Sequence, residues 1–516
     1  MLKILLSAGA LALVSSHAGA ANCTAAPVAG ELYSILNAGS GKVLDVTGGS
    51  TQSGTQLQQW GYGASANQQF YLRSAANGYW TIQAKHSGML LDVQARSLAD
   101  GAAVIQAPGN GGTNQSWQLK KSTTGAYNIV AVHSGKSISA LDAASGAKIY
   151  QAADTASGNQ RWFLNPVSGT CGGTPGFAHT SGSDGLATTT GGGTVAPVTV
   201  TTCSALTSAL KSTSPAVVQI PANTTIDCRT PARTQMACPV ACPSYQDPGK
   251  YTYRIPVGAQ TCTELGSSSN ALQARSRNET RIAVASNKTL VGLGTGARIL
   301  GASLDLNGVK NVIIRQLTIE DVNPGLVEAG DGIGITSASH VWIDHVTFKL
   351  ISDGHVDIQN SRNMTLSWNR FEGANPAVCG GQHHYTNMVA DSHVSLHHNF
   401  WDRASGRNPK LSGAATRAHL FNNYWLNITY FAIAAGEGAH ARVEGNFFAN
   451  SARPHWNGGT GLIDANLASN RYTGVSATDP ERDTGQAVFG DVAMYPYTLD
   501  RVDDLPTVLA NGAGNR

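Results

Sequence analysis

Three aspartates and one pair of cations are the residues through which this chain could do chemistry. Asp331 lies in EAGDGIGI, and Asp353 and Asp357 lie in ISDGHVDI. Positions four apart in a strand project from the same face, and Asp331 would sit beside them from the coil before. Three carboxylates on one face repel each other unless a cation joins them, and an all-oxygen donor set favours Ca²⁺ over zinc or copper. Solvated turn aspartates beside Gly332 and Gly354 are the plain alternative. Further on, Arg407 and Lys410 fall in DRASGRNPKLSG, where Pro409 fixes the local backbone. A rigid positive patch facing the same groove as a cation site would suit a carboxylated polysaccharide. A loop whose basic residues merely meet water is the competing reading.

The elements that must position these residues announce themselves as a repeat. NVIIRQLTI, HVWIDHVTF, NMTLSWNRF, HVSLHHNFW, RAHLFNNYW and HARVEGNFF begin at 311, 340, 363, 393, 417 and 440. Each copy reads as a short β-rich run with apolar residues at alternate places. A unit of 23 to 30 residues is one turn of a solenoid that cannot bury its own apolar face. Short strands with no helical pattern between them point to a parallel β-helix. The seventh place of the last four copies holds Asn369, Asn399, Asn423 and Asn446, which stacked coils would align as an asparagine ladder. Trp342, Trp368, Trp401 and Trp425 mostly follow the strand alternation, so packing is the better reading for them than a sugar-stacking stripe.

Residues 30–165 carry a different, threefold repeat. GKVLDV (Asp45), LQQW (Trp60) and ANQQF (Asn67, Gln68) form the first copy. GMLLDV (Asp92) with TNQSW, and ISALDA (Asp142) with GNQRW, form the others. Ala107 and Ala152 stand where the first copy has Trp60. Such a pattern suits a β-trefoil with Trp117 and Trp162 in its core. Trp60 beside a carboxylate suits a sugar ring, which has an apolar face and a polar rim.

Composition sets the frame. The chain has 516 residues, 58 of them glycine, and only 13% charged, which suits a turn-rich, all-β exported protein. A net charge of +3 gives no ground for nucleic-acid binding. MLKILLSAGALALVSSHAGA reads as a signal peptide over 1–20, with cleavage after Ala20 and a secreted, extracellular product. No later segment is apolar enough to span a membrane. Eight cysteines in an exported chain favour disulfides, with Cys23 and Cys171 bracketing the first domain; a zinc site at Cys238 and Cys242 is the weaker alternative. The stretch 226–265 breaks the coil pattern and reads as a disulfide-pinned insertion.

The first repeat resembles the ricin-B-type lectin family, which serves as carbohydrate-binding modules. That resemblance implies a glycan site at Asp45, Trp60 and Asn67, with plant cell-wall glycans as ligand. SNKTLVGLG, NVIIRQLTI, VWIDHVTF, SDGHVDI, LHHNFW and the Arg-x-Pro box occur in the order seen in polysaccharide lyase family 1, the pectate and pectin lyases. The glycine-rich run GFAHTSGSDGLATTTGGGTVAPVTVTT resembles the opening of pectate lyases. The implied fold is all-β, an N-terminal β-trefoil over 21–165 joined through a linker at 166–174 to a right-handed parallel β-helix over 175–516.

By the same resemblance Asp331, Asp353 and Asp357 match calcium ligands, Arg407 the catalytic arginine and Lys410 a substrate-binding position. The implied reaction is β-elimination on polygalacturonate, by a chain needing no partner subunit. Arg407 would serve as base, or stay charged and stabilise the intermediate while hydroxide takes the proton. The region FEGANPAVCGGQHHYTNMVADS lacks the lysine pectate lyases usually carry, and His383 or His384 falls closest, as substrate-binding or structural residues. Ser412 stands where a second arginine is usual. CGGQHHY and SGRNPK look more like pectin lyases, which act on methyl-esterified pectin without calcium, whereas the three aspartates favour the pectate branch. Three alternatives therefore stand beside a calcium-dependent pectate lyase: a pectin lyase, a polygalacturonase and a non-catalytic glycan-binding adhesin.

Overall fold

Each nine-residue repeat is a corner between two strands, not the single strand its alternation suggests. The structure is a computed structural model that describes residues 27, 29–30, 32–63, 65–122, 126–167, 176–242, 249–256, 259–476, 488–497 and 499–515. In HVSLHHNFW the strand His393–His397 stops at His398, and Phe400–Asp402 begins a strand of a different sheet. The sixth residue of every copy, from Gln316 through His345, Trp368, His398 and Asn422 to Gly445, has a positive φ between 51° and 62°. Left-handed backbone is unfavourable for residues other than glycine. The seventh residue offsets that penalty from Asn369 onward.

Asn369, Asn399, Asn423 and Asn446 each donate from Nδ2 to Oδ1 of the next ladder member, at 3.0, 3.1, 3.0 and 3.2 Å. Asn470 extends the ladder one coil beyond what the repeat announced. Each amide also donates to a carbonyl of the preceding coil, Asn399 to Leu366 at 2.9 Å and Asn423 to Leu396 at 2.8 Å. The buried corner is thus hydrogen-bonded at each of these steps, as a buried polar group must be.

Three parallel sheets of ten, nine and eight strands build the coils of the second unit, Pro175–Arg516, with strand order following the chain. Their inward residues form one apolar cluster. Within it Phe348, Phe371, Trp401, Trp425 and Phe448 stack coil upon coil, with ring centroids 5.3, 4.9, 4.7 and 4.6 Å apart. Trp342, Trp368, Trp401 and Trp425 are all buried, so none forms a surface stripe. The helix Cys203–Lys211 has no counterpart in the repeat; Thr202 caps it through the Ala205 N–H, and its Leu206 and Leu210 enter the core. Residues 176–192 do not lead straight into a coil. They run along the first sheet, where backbone N–H groups of Phe177, Ala178 and Gly191 donate to Ser395, Thr365 and Asn311.

The cysteine-rich insertion is a small sheet. Arg233–Ala241 pairs antiparallel with Asn270–Ala274 and Tyr251–Arg254. Cys238–Cys262 pins it internally, Cys242–Cys379 ties it to the CGGQHHY loop, and Cys203–Cys228 closes a third bond. Cys238 and Cys242 therefore take separate partners and do not form a zinc pair.

The first unit, Met1–Thr174, has the threefold order expected of a trefoil. Three hairpins, Val43–Val46 with Leu57–Trp60, Leu90–Val93 with Val104–Ala107, and Ser137–Ala140 with Ile149–Ala152, repeat around one core. Leu32–Asn37 pairs with Trp162–Pro166, which closes the domain and makes Pro166 part of a strand, not of a linker. Phe70, Trp117 and Trp162 are fully buried at equivalent places. The signal peptide, Cys23 and Cys171, and residues 168–174 lie outside the described residues. Among the described residues no helix is long and apolar enough to cross a membrane.

Candidate active site

The eight-stranded sheet of the solenoid carries the acidic residues. Asp357 lies in the strand Val356–Gln359 and projects outward, in register with Gly334 before it and Met388 after it. Asp331 and Asp353 sit in the bends that precede their strands, so Asp353 and Asp357 do not share one strand as their spacing suggests. The bends bring all three together, with one carboxylate oxygen from each lying within 4.8 Å of the others. Gly354 makes this approach possible, because a Cβ there would fall 2.1 Å from Asp357 Oδ1. Backbone N–H groups of Gly354 and Met388 hold Asp331 and Asp357 at 3.1 and 2.9 Å.

Electrostatics describe the strain of this grouping. Burial and then the Asp353 charge push Asp331 up to about 7, against the pull of Arg277. Burial, followed by Glu328, raises Asp353. Burial and the other two aspartates hold Asp357 well above the usual carboxylate range. A cluster so placed must share protons or a cation. An all-oxygen, half-buried set of three carboxylates fits a hard divalent ion such as Ca²⁺.

Arg407 and Lys410 follow along the same face. Met388 is in register with Lys410, which places Lys410 two strands, roughly 10 Å, from Asp357. Arg407 has φ 55°, and its carbonyl accepts from the Asn387 N–H at 2.6 Å and from the Thr386 hydroxyl. The buried core reaches out to fix this bend. The indole of Trp425 donates to the Asn408 carbonyl at 2.7 Å, and that of Trp401 to Asn387 Oδ1 at 2.8 Å. The Arg407 charge works against the rise of both Asp353 and Asp357. Its guanidinium lies over the Tyr385 ring at 4.3 Å.

The two histidines part company. His383 is 2% exposed, and its Nε2 donates to the Asp353 carbonyl at 2.8 Å. It stacks on His355 at 4.7 Å. Burial drives His383 down to about 4, so its ring is neutral, and its bond to the Asp353 carbonyl matches the structural one of the two roles the sequence left open. His384 stays half-buried on the groove wall, edge-on to Tyr385 and stacked with Tyr430. Arg254, 3.2 Å from Glu328, comes from the insertion, and Arg277, 3.9 Å from Asp331, from the turn that follows it; neither has a repeat to place it.

In the trefoil Asp45, Trp60 and Asn67 line one open pocket of about 530 Å³. Asp45 accepts from Gln58, Asn67 and Gln68 at 3.0 Å each, and Trp60 is 48% exposed above it. Asp92 keeps the matching bonds from Asn114 and Gln115 without an aromatic. Asp142 instead accepts from the Ala144 N–H.

The family model for ricin-type beta-trefoil lectin domain-like sequences matches residues 24–107 and 113–173, and that for pectate lyase matches 255–472. A probable pectin lyase A of Aspergillus terreus is 33% identical over 270 residues, covering 51% of this chain and 70% of that protein. A probable pectin lyase D of Aspergillus flavus is 41% identical over 177 residues, covering 33% of this chain and 47% of its own length. The chain thus spans about half the length of such curated relatives. A solved Bacillus subtilis pectate lyase mutant is 19% identical, covers 66% of this chain and 96% of its own, and superposes with a TM-score of 0.45.

Proposed function

The chain belongs to the pectate and pectin lyase family, and from that premise we propose that it is a secreted polysaccharide lyase cleaving the galacturonan backbone of pectin by β-elimination, with a trefoil that holds plant cell-wall glycan. The observation that carries the reading is Arg407, fixed by its backbone beside an outward row of Asp357 and Lys410. The names of the relatives favour methyl-esterified pectin as substrate over the calcium-assisted cleavage of pectate expected from the sequence. One specific observation favours calcium-assisted pectate cleavage as a second reading, namely the meeting of Asp331, Asp353 and Asp357. Three disulfides fit an extracellular setting.

In the elimination the C5 proton leaves, its bonding pair becomes the C4–C5 double bond, and the C4–O bond breaks. The departing oxygen takes a proton from solvent. Arg407 faces the C5 proton, either accepting it or stabilising the carbanion that hydroxide generates, and Lys410 binds the chain beside it. An esterified carboxyl is uncharged and accepts carbanion character readily. A free carboxylate opposes it, and there Ca²⁺ held by Asp331, Asp353 and Asp357 would supply the neutralising charge.

The test is ultraviolet absorbance of the unsaturated product, on esterified pectin and on polygalacturonate, with calcium and with chelator. The expected result is a faster rise on esterified pectin that chelator leaves unchanged. A rise confined to polygalacturonate and abolished by chelator would install the second reading. New reducing ends without absorbance would mean a hydrolase and sink both.

For the trefoil, Trp60→Ala is expected to weaken binding to wall glycan by about tenfold, the ~1.4 kcal/mol of a lost stacking face. Cleavage of short soluble substrate should not change. Pull-down on insoluble pectin measures the first and the absorbance assay the second.

A further inference from the structure

Most side chains of the CGGQHHY loop are committed to bonds within the fold. Cys379 is bonded to Cys242 of the insertion. The His383 ring meets the Asp353 carbonyl and the backbone of Tyr385, so one buried imidazole joins the acidic bend to the next residues of the loop. The Ser405 N–H donates to the His383 carbonyl at 2.8 Å, and Thr386 and Asn387 grip the Arg407 carbonyl. Between these anchors Tyr385 presents its ring face to the Arg407 guanidinium at 4.3 Å, and His384 packs against the ring at 4.7 Å.

Arg407 stands between two attractions. The Arg407 carbonyl is bonded to Asn387, in the strand next to that of Asp357, so the guanidinium is within reach of the acidic cluster, where an ion pair would take it from substrate. An aromatic face attracts the same cation without neutralising it. We propose that Tyr385 is the positioning residue of Arg407: its ring is the platform that keeps the guanidinium facing the groove instead of collapsing onto the aspartates. The loop's disulfide and His383 hold that platform at a fixed place relative to Asp353. This inference rests on the reading of Arg407 as the residue facing the C5 proton.

The role belongs to the ring and not to the hydroxyl, which separates it from proton transfer by Tyr385. Tyr385→Phe should keep kcat within about twofold. Tyr385→Leu should lower kcat about tenfold to a hundredfold at nearly constant KM, the scale of a misplaced catalytic group. Phenylalanines of increasing fluorination at 385 keep the shape while weakening the negative ring face, so kcat should fall in step with fluorination while thermal unfolding stays fixed. That series decides the matter even if Tyr385→Leu does not fold. Equal loss in Tyr385→Phe and Tyr385→Leu, a loss carried by KM alone, or a flat fluorination series would overturn the proposal. Arg407→Ala is assayed in parallel: full activity there would remove the premise, whereas an inactive Arg407→Ala beside an unaffected Tyr385→Leu removes only the platform.

Discussion

Arg407→Ala is expected to lower turnover by roughly 10³-fold, the scale seen when a group stabilising transition-state charge is removed. Unfolding temperature and glycan binding by the trefoil should stay close to wild type. The fold does not depend on the guanidinium: the bend is held by the Arg407 carbonyl, by Asn408 Nδ2 donating to the Phe431 carbonyl, and by the Trp425 indole, and a substitution at the side chain leaves these bonds in place. Activity does depend on it, whether it takes the C5 proton or stabilises the charge left behind. Arg407→Lys should recover little, because a compact ammonium on a flexible stem does not lie flat on the Tyr385 ring. Initial rates of unsaturated product over a substrate series give kcat and KM separately. A chain unaffected by Arg407→Ala would be a glycan-binding adhesin, or an enzyme working from another site.

Much of this arrangement is legible in the sequence because it is repetitive. A ladder of asparagines needs the same residue at the same place in successive coils, so Asn369 to Asn446 stand out without any coordinates. The trefoil likewise shows its three Gln-x-aromatic units, and Phe70, Trp117 and Trp162 fill the core as that pattern implies. What the repeat hides is direction. A corner and a strand share alternating apolar residues, and only the positive φ at places such as His398 and Asn422 turns one into the other. The acidic cluster was legible for the same reason, since Asp353 and Asp357 are close in sequence, although a bend and not a shared strand brings them together. Arg277, Arg254 and Tyr385 were not legible. They reach the site through an insertion, the turn after it and a loop, and the insertion and loop are placed by Cys242–Cys379 and by His383, contacts between segments that no local pattern records.

Calcium at a hundredfold excess over its Kd should raise the unfolding temperature of the lyase unit by about 4 °C, since ligand binding at that ratio contributes ~2.7 kcal/mol. Asp357→Asn should erase the increment. In chelator, the same variant should unfold no earlier than wild type, and the two effects together are diagnostic. An ordinary buried hydrogen-bonded aspartate loses stability when amidated. Asp357 instead sits where burial, Asp331 and Asp353 all oppose its charge, so a neutral amide relieves repulsion while still accepting the Met388 N–H through its oxygen. Asp331→Asn should behave alike, because burial and Asp353 raise its carboxyl for the same reason. Scanning calorimetry with and without calcium measures all of this independently of turnover, so it separates the metal from the substrate. A wild-type chain indifferent to calcium would leave the cluster to share protons and would take calcium out of the mechanism, with the esterified polymer as the remaining substrate. A calcium-stabilised chain that nonetheless cleaves esterified pectin in chelator would mean that the ion braces the groove without entering the elimination.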